Sequence, residues 1–132
     1  MVQSSYRDVM AWQRGMQLLA ANYDVTEQFS SNEQFGLVSQ LRRAAVSLPS
    51  KIAEGRAHYS NRDFVSFLRH ARGSRAEMET QILMAGQRRY LTTEITRRLT
   101  VQIDELGRIL SGLINSRNPA TRTHDSGLGT QD

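Results

Sequence analysis

The chain has 132 residues, 39 % of them apolar, with no cysteine and a net charge of +4. That length suits one core burying roughly two-thirds of the unfolded surface, and the missing thiol excludes disulfides, cysteine catalysis, cysteine-held zinc and iron–sulfur clusters. Of 17 basic residues all but Lys51 are arginine, and residues 39–75 hold eight of them against two acids, a local excess of +6.

The first periodic segment starts near Ser5 and ends near Phe29. Val9, Trp12, Met16, Leu19, Tyr23 and Thr26 recur at 3-4-3-4-3 spacing, which predicts that they form the buried face of a helix. Ser30, Ser31 and Asn32 then offer a polar break that can cap the next helix. The second segment runs from about Glu33 to about Ala57. Val38, Leu41, Ala45, Leu48 and Ile52 keep their phase across Pro49. A proline inside a helix removes one hydrogen bond and crowds the carbonyl four residues back, so the pattern predicts one kinked helix, with Ser47 placed to serve the freed backbone.

The third segment opens on Ser60-Asn61-Arg62-Asp63, a capping box with aspartate in the usual glutamate place. Phe64, Phe67, Ala71, Ser74, Met78, Ile82 and Ala85 mark its inner face, and Gly73 in mid-helix implies close approach of a neighbour. The fourth opens at Thr92 or Thr93, with Glu94 in a first turn that favours negative charge. Ile95, Leu99, Ile103, Leu106, Leu110 and Leu113 follow. Short connections predict an all-α, antiparallel up-down-up-down four-helix bundle over residues 1–116. The polar, aperiodic stretch 117–132 reads as a flexible tail.

The expected chemistry is sparse. A di-metal bundle site needs paired Glu-x-x-His motifs, and none occurs; Glu54 and His58 form a single pair without partners. There is no glycine-rich loop ahead of the lone lysine and no Gly-x-Ser-x-Gly elbow. Glu77 and Glu79, two apart on a helix, point in different directions. The reading is a protein that is not an enzyme and carries no cofactor or metal. No apolar run approaches a membrane span of about 20 residues and Met1 to Gln13 lack a signal-peptide layout, so a cytoplasmic setting without a membrane partner is expected.

The run Gln40-Leu41-Arg42-Arg43-Ala44-Ala45-Val46-Ser47-Leu48-Pro49-Ser50-Lys51-Ile52-Ala53-Glu54-Gly55 carries more information. With Tyr6, Asp8, Trp12, Gly36-Leu37, Phe64, Phe67-Leu68, Gly73-Ser74, Glu77, Glu79-Thr80-Gln81 and Leu106-Gly107-Arg108, it resembles the proteins encoded within intervening sequences of bacterial large-subunit ribosomal RNA genes. That family is similar in fold to the accessory protein of diversity-generating retroelements, a pentameric barrel that binds nucleic acid and engages a reverse transcriptase. The resemblance implies a homo-oligomer, a pentamer by that analogy, with RNA or DNA as ligand and a reverse transcriptase or another protein as a further partner. Lys51 stands where the family commonly has asparagine and Arg75 where it has an apolar residue, and both add positive charge.

Seven basic residues are therefore candidates for phosphate contact: Arg42, Arg43, Lys51, Arg62, Arg69, Arg72 and Arg75. Arg62, Arg69 and Arg72 are spaced by seven and three and share a helical stripe, flanked by His70 and Arg75. Arg42 and Arg43 diverge by about 100°, so one can pair with Glu54 or Glu77 while the other faces out. Two readings stand side by side: an oligomer gripping nucleic acid without reading bases, or a protein–protein adaptor whose arginines are merely solvated. Trp12 is assigned to the core or a subunit interface, and Tyr59 is the one aromatic in the basic stretch outside a core phase.

Overall fold

The computed structural model describes residues 5–29, 32, 36–58 and 60–117. They form four helices, α1 (Tyr6–Thr26), α2 (Leu37–Arg56), α3 (Asn61–Gln87) and α4 (Thr93–Arg117), and no strand occurs among them. Three of the helices, α1, α3 and α4, are started or stopped by side-chain caps or a left-handed turn. Ser5 caps α1 in a reciprocal box with Asp8, the Ser5 hydroxyl accepting from the Asp8 amide at 3.2 Å and the Asp8 carboxylate from the Ser5 amide at 3.1 Å. Ser60 accepts from the Asp63 amide to open α3, and Thr92 from the Ile95 amide to open α4. α3 stops where Arg89 enters the left-handed region at φ 64°. The Tyr90 amide then bonds the Ala85 carbonyl and the Arg89 amide the Gly86 carbonyl. This paired closure usually employs glycine at the Arg89 position.

The core takes most of its volume from α2, α3 and α4: Leu41, Leu48, Ile52, Phe64, Leu68, Met78, Ile82, Ile103, Leu106 and Leu110 are all buried to within 1 %. All but Leu68 lie on the predicted faces, whereas Phe67 and Ser74, also predicted for the inner face of α3, are only half-buried. Each large apolar side chain removed from water contributes roughly 1.5–3 kcal/mol.

α1 departs from expectation. Its buried residues are Asp8, Ala11, Gly15, Leu18, Asn22 and Thr26, one position earlier than the predicted stripe except at Thr26. Met16 and Tyr23 are exposed, and Trp12 and Leu19 pack only partly against the core. The reason is distance. A Cβ on Gly15 would lie 3.2 Å from Leu48 Cδ2 and 3.3 Å from Pro49 Cβ, so α1 lies close on α2 through its smallest side chains. The polar residues on that face are partly satisfied, with Asp8 Oδ1 and Asn22 Oδ1 left without a hydrogen-bond partner among the described residues. Asn22 Nδ2 donates to the Leu18 carbonyl at 2.9 Å and reaches Met78 Sδ at 3.4 Å, and the Thr26 hydroxyl donates to the Asn22 carbonyl at 2.6 Å. Leu18 belongs to the core, and Met10 and Val25 are half-buried.

α2 continues as helix through Pro49, which is buried against Gly15. It begins at Leu37 after Gly36, which supplies no side-chain cap; Ser30 and Ser31 lie outside the described residues. The Ser47 hydroxyl does not serve the backbone freed by the proline. It meets Ser74 Oγ at 3.0 Å on α3. Gly73 is also a correction: it is exposed and faces open space, whereas close approach occurs at Gly55 against Phe64 and at Gly86 against Thr96.

The inter-helix pairs run in an orderly progression. On α1 and α2, Gly15 meets Leu48 while Thr26 meets Arg42. On α2 and α3, Gly55 meets Phe64, Ser47 meets Ser74 and Gln40 meets Gln81. α4 meets α3 through Thr96 against Gly86 and Asp104 near Arg75, and α1 through Glu105–Arg14 and Arg117–Asp8. The Arg14 guanidinium bonded to Glu105, aided by the charge of Arg108, holds that carboxyl below its ordinary range. α4 ends at Arg117, and the tail beyond lies outside the described residues. No helix among the described residues is long and apolar enough to cross a membrane.

Candidate nucleic-acid interface

α3 presents the arginine stripe because its inner face is fixed by Phe64, Leu68, Ala71, Met78 and Ile82, which leaves positions 62, 69 and 72 toward its outer side. Arg62 and Arg69 are exposed and make no hydrogen bond or ion pair among the described residues. Arg72 is half-buried, its Nη1 donating to Ser111 Oγ on α4 across 3.4 Å. Arg75 leans further in, with 18 % of its side chain exposed. Its Nη1 lies 3.5 Å from Glu79 Oε1 and 3.9 Å from Asp104 Oδ1, and its Nε has no hydrogen-bond partner.

The α2 candidates are engaged differently. Arg42 turns to α1: its Nε donates to Thr26 Oγ1 at 3.0 Å and its guanidinium lies 4.3 Å from the Tyr23 ring centre. Arg43 is the outward member, 3.8 Å from Glu77 Oε2, with both side chains largely in solvent, where such pairs contribute little. Lys51 reaches Glu54 at 3.3 Å and lies 5.9 Å from the Phe67 ring centre. His58 pairs with Asp63 at 3.7 Å, not with Glu54, and exposed His70 meets the Phe67 ring edge. Tyr59 lies outside the described residues. The structure thus brings Arg72 and Arg75 together in the α3–α4 seam, leaves Arg62 and Arg69 free on the same helix, and commits Arg42 to packing.

Arg108 is a residue that charge counting along the sequence does not single out. It lies in the same seam, exposed and without hydrogen bond or ion pair among the described residues. Residues 76–116 balance five acids against five bases, and that zero conceals it. Asp104 and Glu79 approach Arg75, Glu105 takes Arg14 and Glu77 takes Arg43. The acids of the neutral stretch are engaged largely by arginines elsewhere, so no carboxylate among the described residues lies within ion-pair distance of Arg108.

A small all-α protein with four helices, Arg72, Arg75 and Arg108 along the α3–α4 seam and Arg62 and Arg69 exposed on α3 describes a class. The family is specific: the chain belongs to the 23S rRNA-intervening sequence proteins, whose family model matches residues 7–112. Among solved structures it is similar to a protein of unknown function from the S23 ribosomal protein family of Bacteroides thetaiotaomicron, at 18 % identity and a TM-score of 0.76. That match covers 82 % of this chain and 97 % of the other and shows a shared fold. No curated protein matches the chain.

Proposed function

We propose that the protein is a non-enzymatic, cytoplasmic homo-oligomer, a pentamer by the family resemblance, that binds RNA or DNA without reading sequence through an arginine face. The observation that carries this reading is the stripe on α3. Arg62 and Arg69 project without carboxylate partners and Arg72 stands half-buried in line with them. The family name associates these proteins with 23S rRNA. Phosphate contact needs unpaired cations, and arginine offers several donors in a planar fork. Repetition of the stripe around an oligomer would let individually weak contacts add. The scaffold in this reading is an antiparallel up-down-up-down bundle with α2 bent at Pro49. The ordered contact pairs and the interior proline support it.

Assembly draws support from apolar side chains left in solvent: Met16 and Tyr23 on α1, Val46 on α2, Leu83 and Met84 on α3, and Val101 on α4. Light scattering after size exclusion should give a multiple of the 15.0 kDa chain mass. A monomer mass at micromolar concentration would remove the oligomer from the proposal.

Nucleic-acid binding is tested by changing Arg62, Arg69 and Arg72 together to glutamine. Substitutions at the exposed Arg62 and Arg69 shift stability by about 0.5 kcal/mol or less each, and half-buried Arg72 loses only its 3.4 Å contact with Ser111, so the fold should persist. Binding to unrelated single-stranded sequences should weaken alike, and the slope of log affinity against log salt should flatten by about 0.7 for each phosphate no longer neutralised. An unchanged slope would take the stripe out of the interface. A wild-type protein that ignores nucleic acid at low salt would favour the second reading, an adaptor for a reverse transcriptase or other protein. The exposed Leu83, Met84 and Val101 are the observation that supports that alternative.

A further inference from the structure

Between α3 and α4 lies an open groove of about 310 Å³ lined by Arg72, Arg75, Asp104, Gly107, Arg108 and Ser111. Its wall is built by Arg75. A Cβ on Gly107 would lie 2.8 Å from Arg75 Cδ and 2.9 Å from Nε, so the missing side chain is what lets Arg75 lie against α4 and approach Asp104 and Glu79. Asp104 also borders the groove, about half of its side chain exposed, with Arg75 Nη1 3.9 Å from its Oδ1. What remains is Arg72 from α3, Arg108 from α4 and the Ser111 hydroxyl between them. Arg72 donates to Ser111 only across 3.4 Å, and Arg108 has no hydrogen bond or ion pair among the described residues. Two guanidinium groups from facing helices and a hydroxyl thus border one concavity open to solvent. A tetrahedral anion suits that set: paired N–H donors reach different oxygens and the hydroxyl supplies a further donor.

We propose that the α3–α4 groove seats a phosphodiester of a bound single strand, contacted by Arg72, Arg108 and Ser111, with Arg75 as a positioning residue. This rests on the nucleic-acid reading above and shifts its centre from the outer α3 stripe to the seam with α4.

The test uses the full chain, a labelled single-stranded RNA of mixed sequence and a DNA of the same sequence. Arg108→Gln should weaken binding about three- to tenfold at low salt, the effect of removing one ordinary hydrogen bond. It should also lower the salt slope by about 0.7. Ser111→Ala should weaken binding less, with the slope unchanged. Arg89→Gln removes the same charge in the turn after α3 and should change affinity less than twofold, because salt screens distant charge. The weakening on RNA and on DNA should match, since both carry the phosphodiester. Far-UV circular dichroism should show intact helices, as Arg108 is exposed. The groove is overturned if wild type binds and Arg108→Gln behaves like Arg89→Gln, or if the weakening is confined to one kind of strand. Binding weakened by Arg62→Gln with Arg69→Gln but untouched by Arg108→Gln would discard the groove and keep the broader reading. Absence of wild-type binding would discard both.

Discussion

Replacing Asp8 with alanine should destabilise the fold by about 3–5 kcal/mol, the usual result of removing one partner of a buried ion pair. Asp8 is fully buried, and Arg117 Nη2 donates to its Oδ2 at 2.7 Å. The same carboxylate accepts from the Ser5 amide and closes the α1 capping box. Arg117 keeps only 14 % of its side chain exposed. It also donates to Asn61 Oδ1 at 3.0 Å and lies 5.0 Å from the Phe64 ring centre. Without Asp8 that guanidinium loses the carboxylate it donates to inside a packed site, and the first turn of α1 retains only half of its cap. Urea unfolding followed by circular dichroism measures the change. Adding Arg117→Met to the alanine variant should recover part of it, because the buried guanidinium that has lost this carboxylate is then gone as well. A destabilisation below about 1 kcal/mol would mean that water replaces the carboxylate and that the pair contributes as an exposed one does.

Gly55→Ala should cost about 2–3 kcal/mol, the upper range for adding one methyl to a filled core. The added Cβ would lie 2.6 Å from Phe64 Cδ1 and 2.9 Å from Phe67 Cβ. Phe64 is fully buried, with Arg117 stacked near its ring, so it has little freedom to yield. The backbone-entropy advantage of alanine over glycine in a helix, about 1 kcal/mol, is overridden by the clash. Gly73→Ala supplies the contrast. Its Cβ would meet nothing within 4 Å, so that substitution should stabilise α3 by up to about 1 kcal/mol. Thermal or urea unfolding of both variants should give shifts of opposite sign.

The two glycines mark the boundary between what sequence spacing reveals and what it hides. Helices α2, α3 and α4 are legible because their inner faces are built from large apolar residues at regular spacing, and Pro49 leaves the phase undisturbed. The buried face of α1 falls one position from the predicted one because Ala11, Gly15 and Asn22 bury well without being strongly apolar. A spacing argument follows hydrophobicity, whereas this face is selected by size. Gly73 suggests a contact because glycine in a helix asks for a reason; the contact exists, but at Gly55, inside the run that carries the family resemblance. The arginines divide in the same way. Arg62 and Arg69 can be placed outward from α3 alone. That Arg42 is absorbed by Tyr23 and Thr26, and that Arg108 is left over, depends on which carboxylates and aromatics arrive from other helices. Sequence order does not encode that pairing locally.

The clasp between Asp8 and Arg117 also bears on the order of folding events. Its two members stand 109 positions apart, so forming it closes nearly the whole length of the described chain. The entropy of that closure grows only logarithmically with length, yet it must be met before the contact returns anything. Pairs such as Gly55 with Phe64 join neighbouring helices across a short connection and can form early. The clasp therefore belongs among the last interactions to consolidate, and its removal should register chiefly as faster unfolding, with the refolding rate nearly unchanged. In that sense Asp8 and Arg117 act as a latch on an already assembled bundle, setting how long the folded state lasts more than how quickly it is reached.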